Sequence, residues 1–202
     1  MTEADAVPTG NTYDKYASTN PIERRLMAAF LARLQGSLPA RPPSRILEVG
    51  VGEGEVAGRV AERYPAAFVA GIDLPDPTLA GQWASRSLPA AFGDVLALPF
   101  LDRSFDLVLA IEVLEHVARP EDALCEIARV AMGDVVLSVP REPLWRLANV
   151  ARGKYLSAYG NTPGHIQHWN RRAFVGLVAR HLEVTAVHSP TPWTMVAARV
   201  RR

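Results

Sequence analysis

Four residues in the string RILEVGVGEGEV, from Arg45 to Val56, carry the first chemical signal: Glu48, Gly50, Gly52 and Gly54. Glycine at every second position lets the main chain take positive φ and lets a ligand touch the backbone. Ile46, Leu47 and Val49 have the apolar character of a buried parallel strand. Glu55 to Tyr64 then sets Val56, Val60 and Ala61 on one helical face, with Ala57 beside them. A strand, a glycine turn and a helix start with free N–H groups and partial positive charge make a ligand site. Spacing limits which ligand. A dinucleotide fingerprint needs its third glycine where Glu55 stands, and Glu53 and Glu55 would repel a pyrophosphate. An acid two residues before the first glycine suits a ligand that carries positive charge and no phosphate.

Further candidates follow at the ends of other apolar runs. Ala67 to Ile72 reads as a second strand closed by Asp73, 19 residues after Gly54. A carboxylate there can accept from both hydroxyls of a ribose. Ala90 to Phe92 is a short third strand before Gly93 and Asp94, and Phe105 to Ile111 is a fourth, leading into Glu112 to His116. In open α/β sheets ligands bind outside the carboxyl ends of the strands, and Gly50, Asp73, Asp94 and Ile111 all fall at such ends.

This ordered set, about half the chain, resembles the class I S-adenosylmethionine-dependent methyltransferases, within them the type-11 domain group that includes ubiquinone- and menaquinone-biosynthesis enzymes. The resemblance rests on the acid-x-G-x-G-x-G motif at 48–54 and on GDVLALPFLDRSFDLVLAIEVLEHV at 93–117. It implies S-adenosyl-L-methionine as donor, with S-adenosyl-L-homocysteine as product. It implies that Glu48, Gly50, Gly52, Gly54, Asp73, Leu74, Asp94, Val95 and Ile111 line the donor site. In that family an Asp matching Asp94 accepts from the adenine amino group, and Val95 and Leu96 would flank the ring. The implied fold is α/β: a Rossmann-like, seven-stranded, mainly parallel sheet with an antiparallel last strand and helices on both faces.

The remaining elements complete one domain over 1–202. Residues 1–43 form an N-terminal segment, with Tyr13 and Tyr16 close together, and a cap helix. Asn20 and Pro21 start that helix, and Ile22, Leu26, Phe30 and Leu34 stripe it, with Met27 and Leu31 widening the stripe. Residues 44–140 are the cofactor-binding half and 141–172 a substrate lid. The last helix and hairpin fill 173–202, with Leu182 to Val187 and Trp193 to Val200 as antiparallel neighbours. Helices are expected over Pro77 to Ser87, Pro120 to Ala131 and Ala173 to His181, and a fifth strand over Val135 to Val139. Cys125 reads as a small buried hydrophobe.

Methyl transfer to oxygen needs a base, because a protonated hydroxyl is a poor nucleophile. The catalytic candidates are His165 and His168 in GNTPGHIQHW and His116 in EVLEHV; His181 and His188 read as structural. No Cys or carboxylate stands at metal-ligand spacing around His165 and His168, so no metal site is expected. The 141–172 segment carries Arg141, Arg146, Arg152, Lys154, Arg171 and Arg172 against Glu142 alone, with Trp145, Tyr155, Tyr159 and Trp169 interleaved. Leu144, Leu147, Ala148 and Ala151 add an apolar stripe. That pattern fits a lid over an acidic or lipophilic small-molecule acceptor, or a solvated basic face with its aromatics in the core. O-methylation is favoured over N- or C-methylation. A SAM-binding regulatory subunit without catalysis, or a nucleotide-dependent dehydrogenase, are the alternatives.

Bulk properties bound the class of protein. The chain has 202 residues, 49% hydrophobic and 21% charged, which are globular values. A net charge of +1 gives no general case for nucleic acid as partner. Arginine supplies 20 of the 22 basic residues, a skew that reflects genomic composition. One cysteine, no signal-like leader and no transmembrane segment point to a cytoplasmic protein.

Overall fold

The computed structural model describes residues 19–153 and 155–201. The N-terminal lead with Tyr13 and Tyr16, and Lys154, lie outside them. The elements, in chain order, are α1 (Pro21–Ser37), β1 (Arg45–Val49), α2 (Glu55–Arg63), β2 (Phe68–Asp73), α3 (Leu79–Ser85), β3 (Ala90–Phe92), β4 (Phe105–Ile111), α4 (Pro120–Val130), β5 (Ala131–Pro140), α5 (Leu144–Ala151), α6 (Arg171–His181), β6 (Glu183–His188) and β7 (Trp193–Arg199).

Seven strands form one sheet in the order β3-β2-β1-β4-β5-β7-β6. From β3 to β5 the neighbours are parallel; β7 runs antiparallel to both β5 and β6. The chain winds outward from β1 to β3, then returns to lay β4 on the other side of β1. The switch point therefore lies between β1 and β4, where such sheets open a crevice.

Strand alternation sorts the core into two layers. Leu107, Leu109 and Ile111 of β4 pack with α1, α2 and α3 residues such as Phe30, Val60 and Trp83. Val108 and Ala110 face the other way, onto Leu124 and Ile127 of α4 and Phe174 and Val178 of α6. Both faces of the central strands are buried, which is why their sequences are mostly apolar apart from Arg45 and Glu48 in β1 and Asp106 in β4.

Two expectations fail by helical phase. The buried face of α1 is Glu23, Met27, Phe30 and Leu34, while Ile22 is 68% exposed. Steps of 4, 3 and 4 residues keep one face, and Ile22 stands one residue off it. Cys125 is exposed, because α4 buries Ala123, Leu124, Ile127 and Val130 and turns position 125 outward. In both cases residue type suggested burial and the 100° step overrode it. The start of α1 is as expected: Asn20 Oδ1 accepts from the N–H groups of Ile22 (2.9 Å) and Glu23 (3.4 Å).

Candidate active site

The glycine turn is sewn to the tip of β2. The N–H groups of Gly50 (2.8 Å) and Val51 (3.1 Å) donate to the Ile72 carbonyl. Gly52 donates to Asp73 Oδ2 (2.6 Å), Leu74 donates to Asp73 Oδ1 (2.8 Å), and Trp83 Nε1 donates to the Gly52 carbonyl (2.7 Å). Gly50 and Gly52 sit at φ +68° and +49°, but they differ in what lies in front of them. A Cβ on Gly50 would strike Val113, whereas a Cβ on Gly52 meets nothing within 4 Å. The open side of the turn is therefore at Gly52, next to Asp73.

Two carboxylates border that opening. Burial pushes the Asp73 carboxyl above its ordinary pKa, against the two backbone N–H bonds that lower it. Each of its oxygens accepts one amide and keeps a lone pair for a further donor. Glu48, only 3% exposed, lies under the first turn of α2. Burial raises its pKa well above the usual carboxylate value; the Ala57 N–H opposes this and the Asp73 charge adds to it. Its Oε2 has no hydrogen-bond partner among the described residues. A buried, unsatisfied carboxylate oxygen beside an open backbone turn fits a ligand with hydroxyl or ammonium donors, and it disfavours a phosphate.

The other expected donor-site residues sit along the same edge. Gly93 donates to the Asp73 carbonyl (2.8 Å), which brings β3 alongside, and the exposed Asp94 accepts from Leu96 N–H (2.9 Å). Leu74 is 37% exposed, Ile111 is buried, and Val95 packs against the core from the rim. Gly54, at φ +84°, caps the N-terminus of α2. Glu55 is less repulsive than its position in the sequence implies, since it pairs with Arg86 and, at 3.8 Å, with Arg59.

Beyond Ile111 the chain turns sharply. Glu112 takes φ +57°, a left-handed conformation rare for a residue with a side chain. Its Oε1 accepts from Trp193 Nε1 (2.7 Å) at the start of β7. The next turn, Leu114–His116, holds a second cluster. The Glu115 carbonyl accepts from Ile166 and Gln167 N–H (3.0 Å each), and the His116 Nδ1 lies 2.9 Å from the Gly164 carbonyl. The His116 and His165 rings meet edge-on at 4.8 Å, and His165 stacks on Trp145 at 5.9 Å. Trp145 in turn contacts Trp193, which packs on Phe30 of α1.

The three histidines do not act as one group. His165 is 8% exposed and adjoins His116, while His168 is exposed and bonds through Nε2 to Asn161 Oδ1 (2.8 Å). Desolvation first, then the Arg146 charge, lowers the His168 pKa, with Glu142 opposing. His181 lies away from this cluster, 3.5 Å from Cys125 Sγ. Chain spacing put no Cys or carboxylate beside His165, but the fold brings one there. Glu115, His116 and His165 each place a ligand atom within 4.8 Å of the others'. Contact from residue 115 to residue 165 is long-range, so chain spacing could not reveal it, although Glu115 stands in the same EVLEHV string as His116.

The basic segment at 141–172 also reads differently in three dimensions. Arg152 donates to Glu23 (3.0 Å), Asn149 Oδ1 (2.6 Å) and the Ala148 carbonyl (3.0 Å), tying α5 to α1. Arg146 lies 3.5 Å from Glu142. Meanwhile Leu147 (60%) and Val150 (43%) of α5, and Leu156 (60%) and Tyr159 (83%) beyond it, are exposed. No helix among the described residues is long and apolar enough to cross a membrane.

Comparison with known proteins gives a consistent result. Residues 47–138 match the methyltransferase domain family. The chain is 40% identical over 111 residues to a demethylmenaquinone methyltransferase of Thermus thermophilus, covering 51% of this chain and 50% of that protein. It is 30% identical over 185 residues to the 27-O-demethylrifamycin SV methyltransferase of Amycolatopsis mediterranei, covering 83% of this chain and 66% of that protein. For the Geobacter sulfurreducens malonyl-[acyl-carrier protein] O-methyltransferase the figures are 32% over 126 residues, 60% and 45%. The chain thus spans about half the length of the curated relatives it matches first. Among solved structures, a Haloferax volcanii methyltransferase in complex with its Trm112 activator superposes with a TM-score of 0.70 at 17% identity, over 90% of this chain and 92% of that one. PigF with SAH gives 0.64 at 17% identity, over 88% and 65%. At these identities the structural likeness speaks for the fold.

Proposed function

We propose that this chain, which belongs to the class I S-adenosylmethionine-dependent methyltransferases, transfers a methyl group to an oxygen of a small-molecule acceptor, working in the cytoplasm. One observation carries the reading. The turn at Gly52 is open in front, and it is flanked by the Asp73 carboxylate and by a buried Glu48 oxygen without a partner. Those groups fit the hydroxyl and ammonium donors of S-adenosylmethionine and give no cradle for a pyrophosphate.

Bound there, S-adenosylmethionine supplies a methyl group made electrophilic by its sulfonium. This chain's residues bind and orient. Asp73 accepts from ribose hydroxyls, Asp94 from the adenine amino group with Val95 against the ring, and the Gly50–Gly54 turn presents backbone to the amino-acid moiety beside Glu48. Leu74 and Ile111 close the apolar sides. The acceptor enters over α5 and meets His165 and His116, which handle its hydroxyl proton; His168, bonded to Asn161, stands apart from them. Fixing donor and nucleophile in line and excluding water provide the rest of the rate. The exposed apolar side chains of α5 favour an acceptor with a lipophilic body. Among the matched relatives, the malonyl-carrier enzyme is named an O-methyltransferase and the rifamycin enzyme is named for a 27-O-demethyl compound, which agrees with an oxygen acceptor.

Isothermal titration with S-adenosylhomocysteine and, separately, NADH tests the binding. Transfer of label from methyl-labelled donor to a panel of lipophilic phenols and carboxylic acids tests the chemistry. Tight NADH binding would overturn the assignment. Binding of S-adenosylhomocysteine with no label transfer to any acceptor would favour a regulatory subunit.

A further inference from the structure

We infer that Glu115, His116 and His165 form a site for one divalent transition-metal ion on the acceptor side of the cleft. Each contributes one ligand atom, and the three atoms lie within 4.8 Å of one another. Ligands about 2.0–2.2 Å from a tetrahedral zinc ion lie about 3.3–3.6 Å apart, so side-chain rotations that bring the atoms together by up to about 1.5 Å close the set. Glu115 and His165 are buried, at 1% and 8%, while His116 is exposed and gives an ion its path of entry. Three protein ligands leave positions for a water or an acceptor oxygen, as catalytic sites do and closed structural sites do not.

The surroundings hold these ligands as metal sites require. A carbonyl oxygen can only accept, so the His116 Nδ1 carries the hydrogen it gives to Gly164. In the neutral ring this puts the lone pair on Nε2, the arrangement by which a neighbouring carbonyl fixes the tautomer of a metal-binding imidazole. Two backbone bonds onto the Glu115 carbonyl pin the stretch bearing His165 to the turn bearing the other two ligands. Stacking on Trp145, itself anchored through Nε1 to Thr162 Oγ1 (2.8 Å), restrains the His165 ring.

Ligand chemistry narrows the ion. Two imidazoles and one carboxylate suit zinc, cobalt, iron or nickel, whereas magnesium and calcium take sets of oxygens. A cation here would make a coordinated acceptor hydroxyl more acidic, doing in place of a free imidazole what the proposed reaction requires. The role rests on the proposed methyl transfer; the binding does not.

The probes are Zn²⁺ by calorimetry and Co²⁺ by visible absorption, on chelator-stripped protein carrying Cys125→Ser. That background removes the Cys125–His181 pair, 3.5 Å apart, as a competing soft site. One equivalent of Zn²⁺ should bind and Mg²⁺ should give no heat. His116→Ala and His165→Gln should each weaken Zn²⁺ by at least about 100-fold, the upper end for losing an outer-layer partner alone. Both variants should keep the S-adenosylhomocysteine affinity and a cooperative melt; His116, being exposed, secures this control if His165→Gln fails to fold. Stoichiometric Zn²⁺ binding indifferent to His116→Ala, or no stoichiometric binding at all, overturns the inference. Zn²⁺ bound without S-adenosylhomocysteine would leave the metal site standing and remove the proposed function.

Discussion

Gly50 and Gly52 share a turn and a positive φ, and the structure predicts opposite consequences when each gains a side chain. At Gly52 a Cβ meets nothing within 4 Å, so Gly52→Val in the ligand-free protein adds only the cost of a left-handed residue. That cost is about 1–2 kcal/mol. For a chain of this size a kcal/mol corresponds to roughly 2–4 °C, so the melting temperature should fall by about 2–8 °C. The Gly52 N–H to Asp73 and the Trp83 bond to its carbonyl use backbone atoms and survive. At Gly50 the new Cβ runs into Val113, so Gly50→Ala adds overpacking of about 1–3 kcal/mol to the same conformational cost. Differential scanning fluorimetry reads the stability and titration with S-adenosylhomocysteine reads the site. Gly52→Val should lose ligand binding while melting cooperatively, and Gly50→Ala should melt lower than Gly52→Val. Wild-type affinity in Gly52→Val would refute the claim that the open side of this turn is the ligand's place. Loss of the folded state in Gly52→Val would show that this glycine serves the fold.

Asp73→Ala should weaken S-adenosylhomocysteine by roughly 1.5–3 kcal/mol, the scale for hydrogen bonds to a charged group, measured by calorimetry. The fold raises the Glu48 pKa, so its contribution to stability is present below the ordinary carboxylate pKa of 4.5 and is lost as pH rises through the folded value. Glu48→Gln should therefore raise the apo melting temperature at pH 8 and leave it nearly unchanged at pH 4; equal shifts at both would show that Glu48 is not strained by its charge. Arg152→Ala should cost about 1.5–3 kcal/mol of stability through the lost Glu23 and Asn149 contacts, with acceptor KM unmoved. A raised KM with normal stability would return Arg152 to substrate recognition. His165→Ala should lower kcat by about 10²–10⁴ at nearly constant donor affinity in a steady-state assay, and an undiminished kcat would exclude it from the chemistry.

What could be read from the sequence divides along one physical line. Local rules placed most of the architecture. Asn20 and Pro21 fixed the start of α1, mainly apolar runs marked β1 and β4, and the short joint at 189–192 forced β6 and β7 to be antiparallel. The candidate donor edge could be proposed from the sequence for a related reason. Its residues follow strand ends, and parallel strands of one sheet bring their carboxyl ends to one edge whatever lies between them. The errors came where phase or neighbours decide. Ile22 and Cys125 have apolar character and point outward, and β5 begins at Ala131, four residues earlier than its apolar density suggests.

The acceptor side was legible only as composition, because its contacts join residues far apart in the chain. Six cations against one acid over 141–172 suggested anion recognition. Yet the charge of Arg152 is answered by Glu23, more than a hundred residues upstream, and that of Arg146 by Glu142. Setting those two aside still leaves Arg141, Lys154, Arg171 and Arg172, so the segment joins basic residues to the exposed apolar side chains of α5, and the expected acceptor has a lipophilic body whether or not it carries an acid. The same long-range joining turned two separate histidine candidates into one cluster. His116 follows β4 and His165 follows α5, and the bonds from Ile166 and Gln167 to the Glu115 carbonyl clamp these segments together. A single imidazole on a loop would have to find its proton-accepting geometry each time the loop moved. In the proposed reaction, an imidazole pair and a buried carboxylate on segments held by backbone hydrogen bonds would keep that geometry before any acceptor arrives, the preorganisation that action on a second molecule would require.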